Sequence, residues 1–218
     1  MAVVSGGVAN AYDFNDKIYG KATAGISYSL QHVQGDILDE NNLERDHGIG
    51  STDYQHNLGF HIGYNFYYKV NSLLHPFVGL EATARAPLKA KTRNITNQYN
   101  HASFDIKAGM RFNEVFKKTS FQVYGIFGVA ILERHNKTAD EFNAIMEQLG
   151  DDYRIKKHEI VPALNYGVGA NVIYDYSKNL ALTGGFDYKR AKATKRTTAT
   201  NFLLETDQFD FKFGIMFL

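Results

Sequence analysis

Through most of this chain apolar and polar residues alternate with a period of two, and that pattern admits only strands with two unlike faces. The clearest run is Ser103–Phe112. Phe104, Ile106, Ala108, Met110 and Phe112 fall on one face, and Ser103, Asp105, Lys107, Gly109 and Arg111 on the other. Segment 209–217 repeats it, with Phe209, Phe211, Phe213, Ile215 and Phe217 against Asp210, Lys212, Gly214 and Met216. Six more runs, at 17–31, 56–70, 76–88, 121–133, 158–174 and 179–189, bring the total to eight predicted strands.

The connections alternate in length. Short links at 71–75, 113–120 and 175–178 alternate with long polar ones at roughly 32–55, 89–102, 134–157 and 190–203. An up-and-down barrel gathers all short links at one end and all long ones at the other. The expected fold is therefore all-β: an eight-stranded antiparallel up-and-down barrel with four long loops and three short turns.

Alternation alone does not say which face points outward. A soluble ligand-binding barrel would show water a face rich in Lys and Glu. Here the polar face is rich in Gly, Ser, Thr and Asn, with few charges of mixed sign. Small residues suit the crowded interior of an eight-stranded barrel. The apolar face is large, and its Tyr and Phe near strand ends fit the interfacial girdles of a membrane barrel. The membrane orientation is the one adopted.

Composition narrows the function classes. With no Cys, the sequence has no disulfide scaffold, no Cys-ligated zinc and no thiol nucleophile. Lys and Arg number 24 against 23 Asp and Glu, a balance that speaks against nucleic acid as a partner. No apolar run approaches the ~18 residues of a membrane-spanning helix, which leaves strands as the route across a bilayer. Residues 1–11 end in Ala9-Asn10-Ala11, the small-x-small pattern of signal-peptidase cleavage. They read as the remnant of an export signal, with a single barrel domain over 12–218; the alternative is an ordinary flexible N-terminus.

Charges on the inward face include Lys21, Glu81, Arg85, Asp105, Lys107, Arg111, Glu159, Asp187, Lys189, Asp210 and Lys212. Unpaired charges in a narrow interior are costly, so they are expected to pair across strands and plug the lumen. Asp105 and Arg111 are expected to meet Arg85 and Glu81, and Asp187 and Lys189 to meet Lys212 and Asp210. The alternative is a small conducting channel. A catalytic reading rests on His101-Ala102-Ser103, since a His can take a hydroxyl proton. The phase turns Ser103 inward, away from lipid. No His spacing requires a metal, and no cofactor is expected.

The third loop carries a helix. Thr138 and Glu141 have capping-box spacing, Phe142, Ile145, Met146 and Leu149 follow at helical spacing, and Gly150 terminates it. The fourth loop holds Lys189, Arg190, Lys192, Lys195 and Arg196, whereas the first leans acidic. Phe142, Ile145, Met146, Lys192, Lys195 and Arg196 are the candidate partner-binding residues, with packing over the barrel mouth and a solvated rim as the plainer readings.

The eight alternating segments, the long-short rhythm and the ending Lys212-Phe213-Gly214-Ile215-Met216-Phe217-Leu218 resemble the eight-stranded outer-membrane barrels of Gram-negative bacteria, the OmpA/OmpX and opacity-type family. The family usually ends on the aromatic itself, whereas here Leu218 follows Phe217. The resemblance implies location in the outer membrane with loops at the cell surface. It also implies contact with lipid and lipopolysaccharide, and recognition of the last strand by the barrel-assembly machinery. The function it implies is adhesion to a host surface protein or acidic glycan, or an envelope-structural role. Lipid-A hydrolysis is a rarer activity among such barrels, and it needs the His–Ser pair to face the membrane. Strand 8 reaches the end of the sequence, so anchoring to the cell wall through this chain is not expected.

Overall fold

The computed structural model describes residues 17–34, 55–88, 97–136, 139–150, 152, 154, 156–196 and 203–218. Eight strands run in order: β1 (Ile18–Gln34), β2 (Gln55–Tyr68), β3 (Leu74–Pro87), β4 (Asn97–Phe116), β5 (Thr119–Asn136), β6 (His158–Asp175), β7 (Leu180–Arg196) and β8 (Leu203–Phe217). One helix, α1 (Ala139–Gln148), lies between β5 and β6. Each strand pairs antiparallel with its sequence neighbours, and β1 pairs with β8 to close the barrel. Closure leaves no sheet edge, so the strands' backbone polar groups can be satisfied in a medium without water.

The stagger follows from the register. Stepping across the pairs Thr23–Gly63, Gly63–Glu81, Glu81–Asp105, Asp105–Gly128, Gly128–Asn165, Asn165–Ala191, Ala191–Thr206 and Thr206–Val33 returns to β1 ten residues beyond the start. That shear on eight strands corresponds to a tilt of about 40° and an interior that side chains fill.

Short turns at 69–73, 117–118 and 176–179 gather at one end, and the longer connections at the other. The strands extend further than the apolar alternation alone suggests. The fourth connection shrinks to 197–202, so Lys189, Arg190, Lys192, Lys195 and Arg196 belong to β7 rather than to a loop. The physical reason is that β7 exchanges apolar outward residues for charged ones while small Ala191 and Ala193 continue on the inward face.

Burial is inverted relative to a soluble protein. Phe60, Phe127 and Phe213 are about 60% exposed, whereas Asp105, Asp187 and Asp210 are fully buried. On β5 the outward positions from Phe121 to Ile131 are apolar or Gly, and Glu133 follows. Ten residue steps at ~3.3 Å and ~40° tilt make a band of roughly 25 Å, the height expected of a membrane barrel's apolar belt.

Candidate functional site

All nine charges assigned to the lumen network, Glu81, Arg85, Asp105, Lys107, Arg111, Asp187, Lys189, Asp210 and Lys212, are buried inside the barrel. Their parity on β3, β4, β7 and β8 puts them there, because consecutive strand residues point to opposite faces. Eight of them form two linked clusters. In one, Arg85 donates to Asp210 at 2.6 Å, and Lys189 reaches both Asp105 at 3.0 Å and Asp210 at 3.4 Å. In the other, Lys107 pairs with Glu81 at 2.6 Å and approaches Asp187 at 3.7 Å, while Lys212 bonds both Glu81 and Asp187.

The expected pairs of Lys212 with Asp187 and Lys189 with Asp210 are present. The other two are not. Arg85 crosses to β8 instead of meeting Asp105, and Glu81 takes Lys107 and Lys212 instead of Arg111. Long side chains span the narrow lumen, so partners sit three strands away as readily as next door. Asp-x-Lys recurs on β4, β7 and β8, at Asp105–Lys107, Asp187–Lys189 and Asp210–Lys212. Each copy presents an acid and a base to the lumen one layer apart, which is what lets the clusters interlock.

Neutral groups complete the carboxylates' hydrogen bonding. Asp105 accepts from Ser103 at 3.0 Å and Asn165 at 3.2 Å, Asp187 from Tyr124 at 2.7 Å, and Asp210 from Gln208 at 2.6 Å. Buried ions held this way cost less than isolated ones and tolerate no loss of partner. Arg111 has no carboxylate partner among the described residues. It reaches Ser120 at 3.3 Å and lies over the Tyr67 ring at 5.5 Å.

Between the clusters and the turns lies an aromatic stack. Tyr19 stacks on Tyr67 at 4.9 Å, Tyr67 meets Phe77 at 5.4 Å, and Phe77 meets Tyr124 at 6.0 Å. These rings are lumenal, so not all of the chain's Tyr and Phe face lipid. The signal was their parity, which matches Lys21, Asn65, Gly79 and Gln122 on the polar face of the same strands. Beside the Lys107–Glu81–Lys212 cluster the lumen keeps a cavity of about 20 Å³, room for about one water molecule.

His101 is buried in the lumen, not at a loop surface, with Ser103 inward beside it, and Ser103 donates to Asp105. The pair is thus turned away from lipid, as the strand phase predicts. His56 and His61 take opposite faces: His56 is exposed and His61 is buried. No group of His, Asp and Glu among the described residues has the geometry of a metal site.

The two rims differ. On the loop side, outward charges are paired: Arg190 with Asp207 at 2.9 Å, Lys192 with Glu205 at 2.9 Å, and Asn100 donates to Glu133 at 2.8 Å. Helix α1 ends at Gly150, whose φ of 73° and bond from its N–H to the Glu147 carbonyl at 3.1 Å close it. Ile145 is 53% and Leu149 72% exposed, and Met146 is half-buried. Thr138, the side chains of Phe142, Lys195 and Arg196, residues 1–11 and the acidic part of the first loop lie outside the described residues.

Solved structures with a similar chain path include the Neisserial surface protein A, at 12% identity over 91% of this chain and 96% of that one, with a TM-score of 0.49. Ail, the attachment invasion locus protein of Yersinia pestis, matches at 14% over 91% and 99%, with a TM-score of 0.42. The outer membrane protein OprG of Pseudomonas aeruginosa matches at 9% over 92% and 95%, with a TM-score of 0.42. No family model and no curated protein matches. At these identities the likeness is one of architecture, and the assignment of this chain rests on its own geometry. It is a closed eight-stranded antiparallel barrel, apolar outside and charged within.

Proposed function

We propose that this protein is a surface barrel of the bacterial outer membrane. Its lumen is structural, and its loop-side end binds a partner for adhesion or takes an envelope-structural role. The observation that carries the reading is the interlocked lumen. Four buried carboxylates and four of the five buried cations satisfy one another across the barrel, over a floor of packed rings. Activity then belongs to the ends, where a rigid scaffold holds variable loops.

The contact residues of this reading are Phe142, Ile145 and Met146 on α1, with Lys192, Lys195 and Arg196 at the top of β7. Helix α1 offers exposed apolar side chains, and Arg190 and Lys192 stand just beyond the apolar band, at the level of lipid or lipopolysaccharide phosphates. The last strand, β8, carries the ending that resembles the assembly-machinery signal. The inward-facing His101 and Ser103 favour a non-enzymatic role.

The test is a binding screen of refolded protein against host-cell surface proteins and sulfated glycans. The control variant has α1 deleted and Lys192, Lys195 and Arg196 changed to Gln. Binding by the parent and its loss in the variant support the reading. Equal binding by both, with the barrel folded, removes the site assignment.

A further inference from the structure

The end that carries the short turns has an unspent positive charge. Lys17, Lys69, Lys117, Lys118 and Lys178 are all exposed there. The Lys69 N–H donates to the Lys17 carbonyl at 2.7 Å, which puts these two side by side across the β1–β2 end. Lys117 and Lys118 form the β4–β5 turn, and the Asp175 N–H donates to the Lys118 carbonyl at 2.8 Å, drawing the β6–β7 turn with Lys178 alongside. The carboxylate side chains described at this end are Glu114 and the half-buried Asp175. Among the described residues no ion pair joins any of the five lysines to a carboxylate. On the opposite rim, Arg190 and Lys192 are each paired with an acid. Arg111, buried below the turns without a described carboxylate partner, adds to the same positive end.

Apolar side chains are interleaved with these lysines. Val70, Leu73 and Tyr176 on the turns, with Val115 and Phe116 at the end of β4, are 45–67% exposed. They continue the apolar belt, whose last outward rings at this end are Tyr68, Tyr174 and Phe217. Exposed Phe and Tyr beside Lys is an unfavourable surface in water and a favourable one at a headgroup layer, where rings sit at the interface and ammonium groups reach phosphates.

We infer that the turn end is a lysine collar that binds the headgroups of anionic phospholipids in the leaflet around it, giving the barrel two unlike lipid-facing rims. The inference rests on the membrane-barrel reading and adds the lipid class and the end that selects it. The occupant is an anionic leaflet because the collar is continuous with the apolar belt. A soluble acidic partner would leave the exposed rings at the belt's edge unexplained.

The chain contains no Trp, so single-Trp reporters are clean. Phe116→Trp reports on the turn end and Tyr188→Trp on the other rim. Each protein is refolded into phosphatidylcholine vesicles containing a minority of phosphatidylglycerol, with bromine on the acyl chains of one lipid or the other. At low salt, brominated phosphatidylglycerol is expected to quench Phe116→Trp at least about threefold more per labelled lipid than brominated phosphatidylcholine. Tyr188→Trp is expected to show parity. The excess falls to parity at ~1 M salt, where the Debye length is about 3 Å, and in a variant with the five lysines changed to Gln. The salt titration tests the unsubstituted collar should that variant misfold. Equal quenching by the two lipids at Phe116→Trp, an excess that survives both treatments, or an excess confined to Tyr188→Trp overturns the collar. Absence of quenching by either lipid overturns the membrane reading instead.

Discussion

Arg85 on β3 and Asp210 on β8 meet across the lumen at 2.6 Å, with both side chains fully buried and 125 positions apart in sequence. Lys189 is the other cation near that carboxylate, at 3.4 Å. The pair ties a middle strand to the strand that closes the barrel, so its loss should be felt in global stability. Arg85→Met alone is expected to cost about 3 kcal/mol, because it strands a buried charge. Adding Asp210→Leu should recover most of the loss, since both ions are then gone. Urea unfolding of refolded protein in lipid measures both. Equal destabilisation by the single and double variants would show that the two residues are not coupled.

Adjacent residues on β7 give an internal contrast. Lys189 points into the lumen onto Asp105, and Arg190 points outward onto Asp207. Lys189→Ala is expected to destabilise by about 3 kcal/mol or more. Arg190→Ala should stay within about 1 kcal/mol, as exposed pairs do. The same unfolding assay checks this, and similar losses at both positions would contradict the burial assignment.

The β1–β8 seam depends on two glycines in register, Gly25 and Gly214. A Cβ at Gly25 would lie 2.2 Å from the Phe213 carbonyl oxygen, and one at Gly214 would lie 2.5 Å from that of Ala24. Both contacts are with backbone, which has nowhere to go in a closed sheet. Gly25→Val and Gly214→Val are expected to block closure, seen as loss of the compact fast-migrating band in unheated gels. Gly184 is the control, because nothing lies within 4 Å of a Cβ added there. Gly184→Ala should fold like the parent. Normal folding of either seam variant would mean the strands approach less closely than described.

Helix α1 should matter to binding and not to stability. Ile145 and Leu149 are exposed, so Ile145→Ser with Leu149→Ser is expected to change unfolding free energy by less than about 0.5 kcal/mol per site. Partner binding in the screen should fall. A large stability loss would show that the helix is a lid packed on the barrel mouth.

Much of this architecture was legible in the sequence, for a physical reason. A period of two is a property of single strands, so Phe104 against Asp105, or Phe211 against Asp210, reports its face without knowledge of neighbours. Long-short connections then order the strands. The nine buried lumenal charges came from parity alone. Their partners did so only in part, Lys212 with Asp187 and Lys189 with Asp210, because partnership depends on stagger and reach. The ten-residue shear sets which layer of β3 faces which layer of β8, and Lys or Arg spans the gap. Tyr67 and Phe77 lie in the lumen because both sit in phase with polar-face neighbours, Asn65 and Gly79, so parity decides over aromatic character. At the top of β7 the apolar alternation ends before the strand does, because outward Arg190 and Lys192 interrupt the apolar face while the strand continues to Arg196.

Closure of the lumen by its own side chains is read out by the current through single inserted barrels. Refolded protein, with insertion verified by its compact gel migration, is placed in a planar bilayer under applied voltage. The interlocked Glu81, Lys107, Asp187 and Lys212, above the packed rings of Tyr67, Phe77 and Tyr124, predict no stable unitary conductance steps. Reproducible steps of fixed size from the folded parent would contradict the plug and return the small-channel reading to first place.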